Sequence, residues 1–417
     1  MIMAFGFGAI LPLSNSIIMD LKSSEHRTKS LALLGICIII GFGISNLIAG
    51  IFLTITSWRM ILFILGFSSM VVMGIIFAID IPPKGITEKA LKNILNEGKS
   101  QYSFHFEWAE FSQLPKIRSN IHFLFFFFIH DFVIGTMSFY MIPMLKSDLD
   151  LTPIRAMILN IIMYFPQLFG APYWGKVADR RFIKKPNGKI STMILIVIIG
   201  PLFSIIGYSI FSINILIFVI CIMIFAFITP SLTSMAYSIL GDINPPELRS
   251  TMFSFSNFCS ICGRSIGIGV CGILYDQYFK RYGIIFLLLQ FVFLIGVFLT
   301  IIKPIHLVPT EMQDLTFLLK QRVYSISKDI NRDLKPNIKD ILNTMIENQI
   351  ELFKKYQQLA QNQIYLTKFL NYSLEVMKRL LLIPNKKELE IVDHKYLTPL
   401  GQKLDYFFKR IEELKAG

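Results

Sequence analysis

Asp20-Leu21-Lys22-Ser23-Ser24-Glu25-His26-Arg27 returns 222 residues later as Asp242-Ile243-Asn244-Pro245-Pro246-Glu247-Leu248-Arg249. The register continues without a gap: Gly41 falls on Gly263, Gly50 on Gly272 and Pro82 on Pro304. An apolar composition does not keep charges in step in this way, so residues 20–82 and 242–304 form a parallel internal repeat. The repeated charges border long uncharged runs. Each run is long enough to cross about 30 Å of hydrocarbon.

The rest of the chain up to residue 302 has the same character. Hydrophobic residues make up 53% of the 417, Phe alone counts 38, and mean hydropathy is +0.57. Charged residues are 17%, about two-thirds of the usual globular share. Charge and Pro/Gly boundaries place spans at 2–19, 30–55, 58–79, 121–145, 153–175, 190–211, 213–240, 251–274 and 283–302. The net charge of +13 lies in loops and in the polar tail, where it meets anionic headgroups, which argues against nucleic acid as partner. The basic loop Asp179-Arg180-Arg181-Phe182-Ile183-Lys184-Lys185 sets the cytoplasmic side, and residues 22–29, the linker and the tail fall on it. All five cysteines lie inside apolar runs, so neither a disulfide framework nor a metal cage is indicated.

Parallel repeats of six-helix halves occur in transporters. The second half has three spans, 121–211, before its repeated segment; subtracting 222 places their partners before residue 1. Nine helices of an expected twelve are therefore read, equivalent to helices 4 to 12. The expected domains are 1–80, a remnant of the N-terminal half; 81–120, a cytoplasmic linker; 121–302, the C-terminal half; and 303–417, a cytoplasmic helical tail.

Residues 1–304 resemble the major facilitator superfamily. The most specific element is Gly175-Lys-Val-Ala-Asp179-Arg180-Arg181, similar to that family's G-x-x-x-D-R loop, supported by Asp20 to Arg27, Trp58-Arg59 and Pro245 to Thr251. The resemblance implies an all-α membrane protein with a major-facilitator-type helical bundle, transport by alternating access, and an appended soluble helical segment. Gly41-x-Gly43, Pro82-Pro83-Lys84-Gly85, Phe132-Val133-x-Gly135 and Arg249-Ser250-Thr251 look most like spinster-type lipid transporters. That family's acidic residue after the helix-four glycine pair falls on Ala9, which puts spinster-type proton coupling in doubt.

A charge at the bilayer centre costs on the order of 2.5–3.5 kcal/mol and persists where it faces a cavity or a partner. Three residues meet that description, His130, Asp131 and Arg264. The expectation is that they line a central cavity, Arg264 binding an anionic head and Asp131 or His130 handling a proton. The contrasting reading is an Asp131 to Arg264 pair that only joins two helices. Adjacent helical residues point about 100° apart, so His130 and Asp131 are not expected to share a partner. Asn160, Tyr164 and Gln167, at helical spacing, are the highest-ranked additional polar positions. Asp179, Arg180 and Arg181, with the repeated pairs Asp20/Arg27 and Asp242/Arg249, are expected to gate by salt bridges that exist in one access state. Gly41, Gly43, Gly50, Gly263 and Gly272 are expected at helix contacts.

After residue 302 the pattern turns polar. A 4-3 spacing of apolar residues from Ile338 to Leu380 predicts a long amphipathic helix, a small helical domain first and a coiled-coil self-association second. No catalytic triad, phosphate loop, metal spacing or cofactor motif is present in the sequence, so an enzyme is not expected. The leading reading is a cell-membrane secondary transporter for a small amphiphilic or anionic solute, lipid-like or not, with proton coupling possible in principle. A membrane sensor or scaffold presenting the tail is the alternative.

Overall fold

The computed structural model describes residues 2–55, 58–77, 85, 87, 88 and 114–330. The described residues form α1 (Ile2–Leu21), α2 (Arg27–Ile55), α3 (Trp58–Phe77), α4 (Arg118–Ser147), α5 (Pro153–Tyr164) and α6 (Gln167–Lys184). They continue as α7 (Gly188–Ile210), α8 (Ile215–Ile228), α9 (Leu232–Ile243), α10 (Pro246–Leu274), α11 (Tyr282–Ile302) and α12 (Pro304–Ile330). Helix follows from apolarity: without water, a spanning backbone must satisfy its own N–H and C=O groups. Helices stand at all nine expected span positions. Six stretches are long and apolar enough to cross a membrane: Arg118–Ser147, Pro153–Lys184, Gly188–Ile210, Ile215–Ile243, Pro246–Phe279 and Tyr282–Arg322.

Local chemistry explains where the helices break. Pro166 separates α5 from α6 within one span, and the Thr229-Pro230-Ser231 turn separates α8 from α9. Asn214 caps α8 by accepting from the N–H groups of Leu216 at 3.0 Å and Ile217 at 3.2 Å. Pro246 opens α10 after an extended Pro245, where the missing proline N–H costs nothing. The other end of α10 runs into a π-helical turn, Tyr275–Phe279, closed by a left-handed Lys280.

The core of the bundle is aromatic. Phe123, Phe126 and Phe127 of α4 are buried with Phe253, Phe286 and Phe293, and Tyr237 joins Phe127 at 4.5 Å between ring centroids. Among the described helices, α4 and α10 share the most extensive contact. A side chain at Gly263 would collide with the carbonyl of Phe128, and one at Gly267 with that of Phe132, so only glycine allows this approach. The halves meet where α2 packs on α6 and α9, and where α1 packs on α10.

The expected tail from residue 303 opens with α12. One compact unit runs to Ser325, because α12 packs back on the bundle through Val308, Leu315 and Leu319. The second unit is Ile326–Gly417, and the predicted 338–380 helix with its coiled-coil seam lies outside the described residues.

Candidate functional site

At the lysine- and arginine-rich end of the bundle, the repeat pairs with itself. Arg27 donates to Asp242 at 2.6 Å, and Arg249 approaches Asp20 at 3.9 Å, so each half's arginine faces the other half's aspartate. The backbone partners repeat as well. Arg27 binds the carbonyls of Met19 and Lys22, both at 3.0 Å; Arg249 binds those of Gly241 at 2.8 Å and Asn244 at 3.2 Å, which lie 222 residues further on. Between the arginines sits Glu88, whose Oε1 accepts from Arg27 at 2.6 Å and from Arg249 at 2.5 Å.

Supporting contacts complete the cluster. Lys189 donates to Asp242 at 2.5 Å and to the carbonyl of Ser24 at 2.8 Å. The Gly85 N–H donates to Asp20 at 3.0 Å from a residue with φ of 74°, a left-handed conformation that favours glycine and aims the chain so that Glu88 can enter. The two arginine side chains are 1% and 0% exposed, a burial tolerable only with opposite charges in place. Burial alone would raise the Glu88 carboxyl, but the guanidiniums of Arg249 and Arg27 outweigh it and hold the group down to about 2.

Asp179 acts on the same interface through a helix end. Its carboxylate accepts from the N–H groups of Thr28 at 3.3 Å and Lys29 at 2.9 Å, capping the first turn of α2 from another helix. Gly175, one turn earlier, leaves room for that approach: a Cβ there would lie 3.1 Å from the Cα of Lys29. The G-x-x-x-D spacing thus has a stated geometry. Arg180 and Arg181 stand outside this cluster in the state described. Both are exposed, and among the described residues Arg181 has a hydrogen bond to Thr192 at 3.5 Å, because successive helical residues turn about 100° each and carry these side chains away from the face that Asp179 presents to α2.

Deep in the bundle, α4 and α10 bring the three mid-span ionisable residues together. Arg264 donates to Asp131 Oδ2 at 2.9 Å, and His130 Nδ1 pairs with Asp131 Oδ1 at 3.0 Å. His130 pairs with Asp131 itself and Asp131 with Arg264: the carboxylate has two oxygens and turns one to each neighbour. The imidazole lies near Phe126 and Phe293, at 5.5 and 5.7 Å between centroids. Exposure separates the members: Asp131 is 13% exposed at its side chain, whereas Arg264 is 54% exposed. Gly135, one turn after Asp131, makes this possible. A Cβ there would meet the Cγ and Nε of Arg264 at 2.7 Å.

The remaining expected positions divide. Asn160 and Tyr164 end α5 while Gln167 opens α6 beyond the Pro166 break, and among the described residues no hydrogen bond ties them to the His130, Asp131 and Arg264 group. Gly263 is a true contact, and Gly272 lies 3.2 Å, measured from an added Cβ, from the Tyr140 hydroxyl. Among the described residues no atom lies within 4 Å of such a Cβ at Gly41 or Gly43, and the surroundings of Gly50 lie outside the described residues. Sequence reading missed Glu88 and Lys189. Glu88 stood in a polar linker without periodicity; its only signal was Gly85 three residues earlier, after a proline pair. Lys189 read as one more loop cation.

The family sequence model described as Major Facilitator Superfamily matches residues 1–181 and 123–342. The chain belongs to the major facilitator superfamily. Major facilitator proteins are membrane transporters, and six apolar helices make this member an integral membrane protein. A similar solved structure is the crystal structure of the human organic anion transporter MFSD10 (TETRAN). It aligns with a TM-score of 0.52 and 13% identity, over 70% of this chain and 67% of that chain, a likeness of fold. No curated protein matches the chain.

Proposed function

We propose that this major facilitator protein is a secondary transporter that moves a small anionic or amphiphilic solute by alternating access. The observation that carries the reading is Arg264: a guanidinium in mid-span, half exposed, with one carboxylate partner and donors left over. An anionic head has a place to bind there, and Asp131 with His130 can take up the proton that frees the arginine from its partner. In this reading α1–α3 correspond to the family's helices 4 to 6, and α4–α11 to helices 7 to 12. The spinster-like motifs favour a lipid-like amphiphile among anionic solutes.

The charged cluster at the basic end serves as the gate. It joins the two halves through Arg27, Asp242, Glu88, Arg249 and Asp20, and it must break for the halves to rock apart on that side. The distribution of Lys and Arg favours a cytoplasmic placement of this end. Uptake of a radiolabelled amphiphilic organic anion into proteoliposomes tests the assignment. Arg264→Gln is expected to reduce uptake more than tenfold while the protein inserts and elutes as the parent does; unchanged uptake discards Arg264 as the anion site.

A further inference from the structure

The C-terminal helix α12 is fastened to the bundle at two places that both concern the gate. Glu311 accepts at 3.0 Å from the N–H of Ser119, in the first turn of α4. Arg322 forms an ion pair with Glu247, in the first turn of α10. Glu247 is 1% exposed at its side chain and Arg322 is 14% exposed, so water competes little for this pair. Two residues beyond Glu247 stands Arg249, whose guanidinium holds Glu88. Between the fastenings, Asn120 and Asn244 exchange amide hydrogen bonds at 3.0 and 2.7 Å, joining the start of α4 to the start of α10.

We propose that α12 is an autoinhibitory strap: by gripping Glu247 through Arg322, it fixes the first turn of α10 and so keeps Arg249 seated on Glu88. The strap and the gate lie on one short rigid segment, Pro245 to Arg249, so α10 cannot tilt away from the linker while Arg322 holds. Buried leucines at 315 and 319 set the helix against the bundle, and the charge pair sets its register. Any partner or modification that draws α12 off Glu247 loosens the gate without touching the gate's own residues. The inference rests on the reading of the charged cluster as a gate.

The test uses the full chain in inside-out vesicles with Ser16→Cys as reporter. Ser16 is buried on α1, one turn inward from Asp20. Its labelling by a membrane-impermeant thiol reagent is read against the parent with its native cysteines alone. Arg322→Ala is expected to raise the labelling rate about tenfold, the order expected for losing one charged hydrogen bond. Arg322→Lys should restore most of the protection, and Lys320→Ala, on the exposed side of α12, should leave the rate unchanged. Arg249→Gln is the reference for a broken gate. Faster labelling in Arg249→Gln but not in Arg322→Ala overturns the strap while sparing the gate; no change in either overturns the gate and the strap with it.

Discussion

Arg249 and Arg264 lie on the same helix, roughly four turns apart, and are used in opposite ways. Arg249 is fully buried, held by Glu88 and by two carbonyls of its own half, while Arg264 is half exposed with a single carboxylate. A guanidinium enclosed on all sides and out of reach of a solute can report only whether two parts of the protein are together. One with donors to spare can take a ligand. The same contrast separates the two copies of the repeat. Arg27 has Asp242 at 2.6 Å with Lys189 behind it, whereas Arg249 stands 3.9 Å from Asp20, which also serves Gly85.

The largest effect expected from this contrast is on Asp242. Asp242→Asn removes the buried carboxylate shared by Arg27 and Lys189 and leaves Arg27 with the Glu88 carboxylate alone, a loss on the order of 3–5 kcal/mol. Folded protein recovered in detergent should fall sharply; a wild-type melting temperature would erase the distinction between the two arginines. Next comes Gly263→Ala, which drives a methyl into the Phe128 carbonyl at a cost of about 1–3 kcal/mol, against no measurable change for its repeat mate Gly41→Ala. Equal thermal shifts for the two variants would show that the copies pack alike.

Arg264→Gln should move the melting temperature least among the charge removals, since its pair is partly solvated and worth about 1 kcal/mol or less. A shift as large as that of Asp242→Asn would make Arg264 a structural charge. The smallest expected effect is acid sensitivity at the gate. Glu88 sits at about 2 in the folded protein, below its ordinary 4.5, so its stabilisation is fully present above pH 4.5 and is lost as pH falls from there toward 2. Protection of the Ser16→Cys reporter should therefore hold flat from pH 7 to 5 and weaken below, and Glu88→Gln should lack that acid limb. Protection lost already at pH 6 would mean that a different group controls the gate.

Much of the fold was legible because the membrane simplifies the code. Uncharged runs marked each helix, the repeat marked the halves, and the scarcity of mid-span charge singled out His130, Asp131 and Arg264. The harder items were those decided by direction. Whether Gly41 or Gly263 faces a neighbour, and whether Asp179 or Arg180 faces the other half, depends on the rotation of a helix that is apolar all round and so carries little periodicity to reveal it. Glu88 was beyond reach for another reason: its partners lie 61 and 161 residues away, one in each copy of the repeat.

By itself the sequence determined the helices, their parallel duplication and the identity of the costly charges, because each follows from the free energy of placing a residue in hydrocarbon. Tertiary structure alone decided which charges meet. The crossed pairing of Arg27 with Asp242 and Arg249 with Asp20, the entry of Glu88 between them and the return of α12 onto Glu247 require chain segments brought together in space. Neither composition nor periodicity encodes that approach; the packing of helices far apart in the chain, closest at glycines, supplies it.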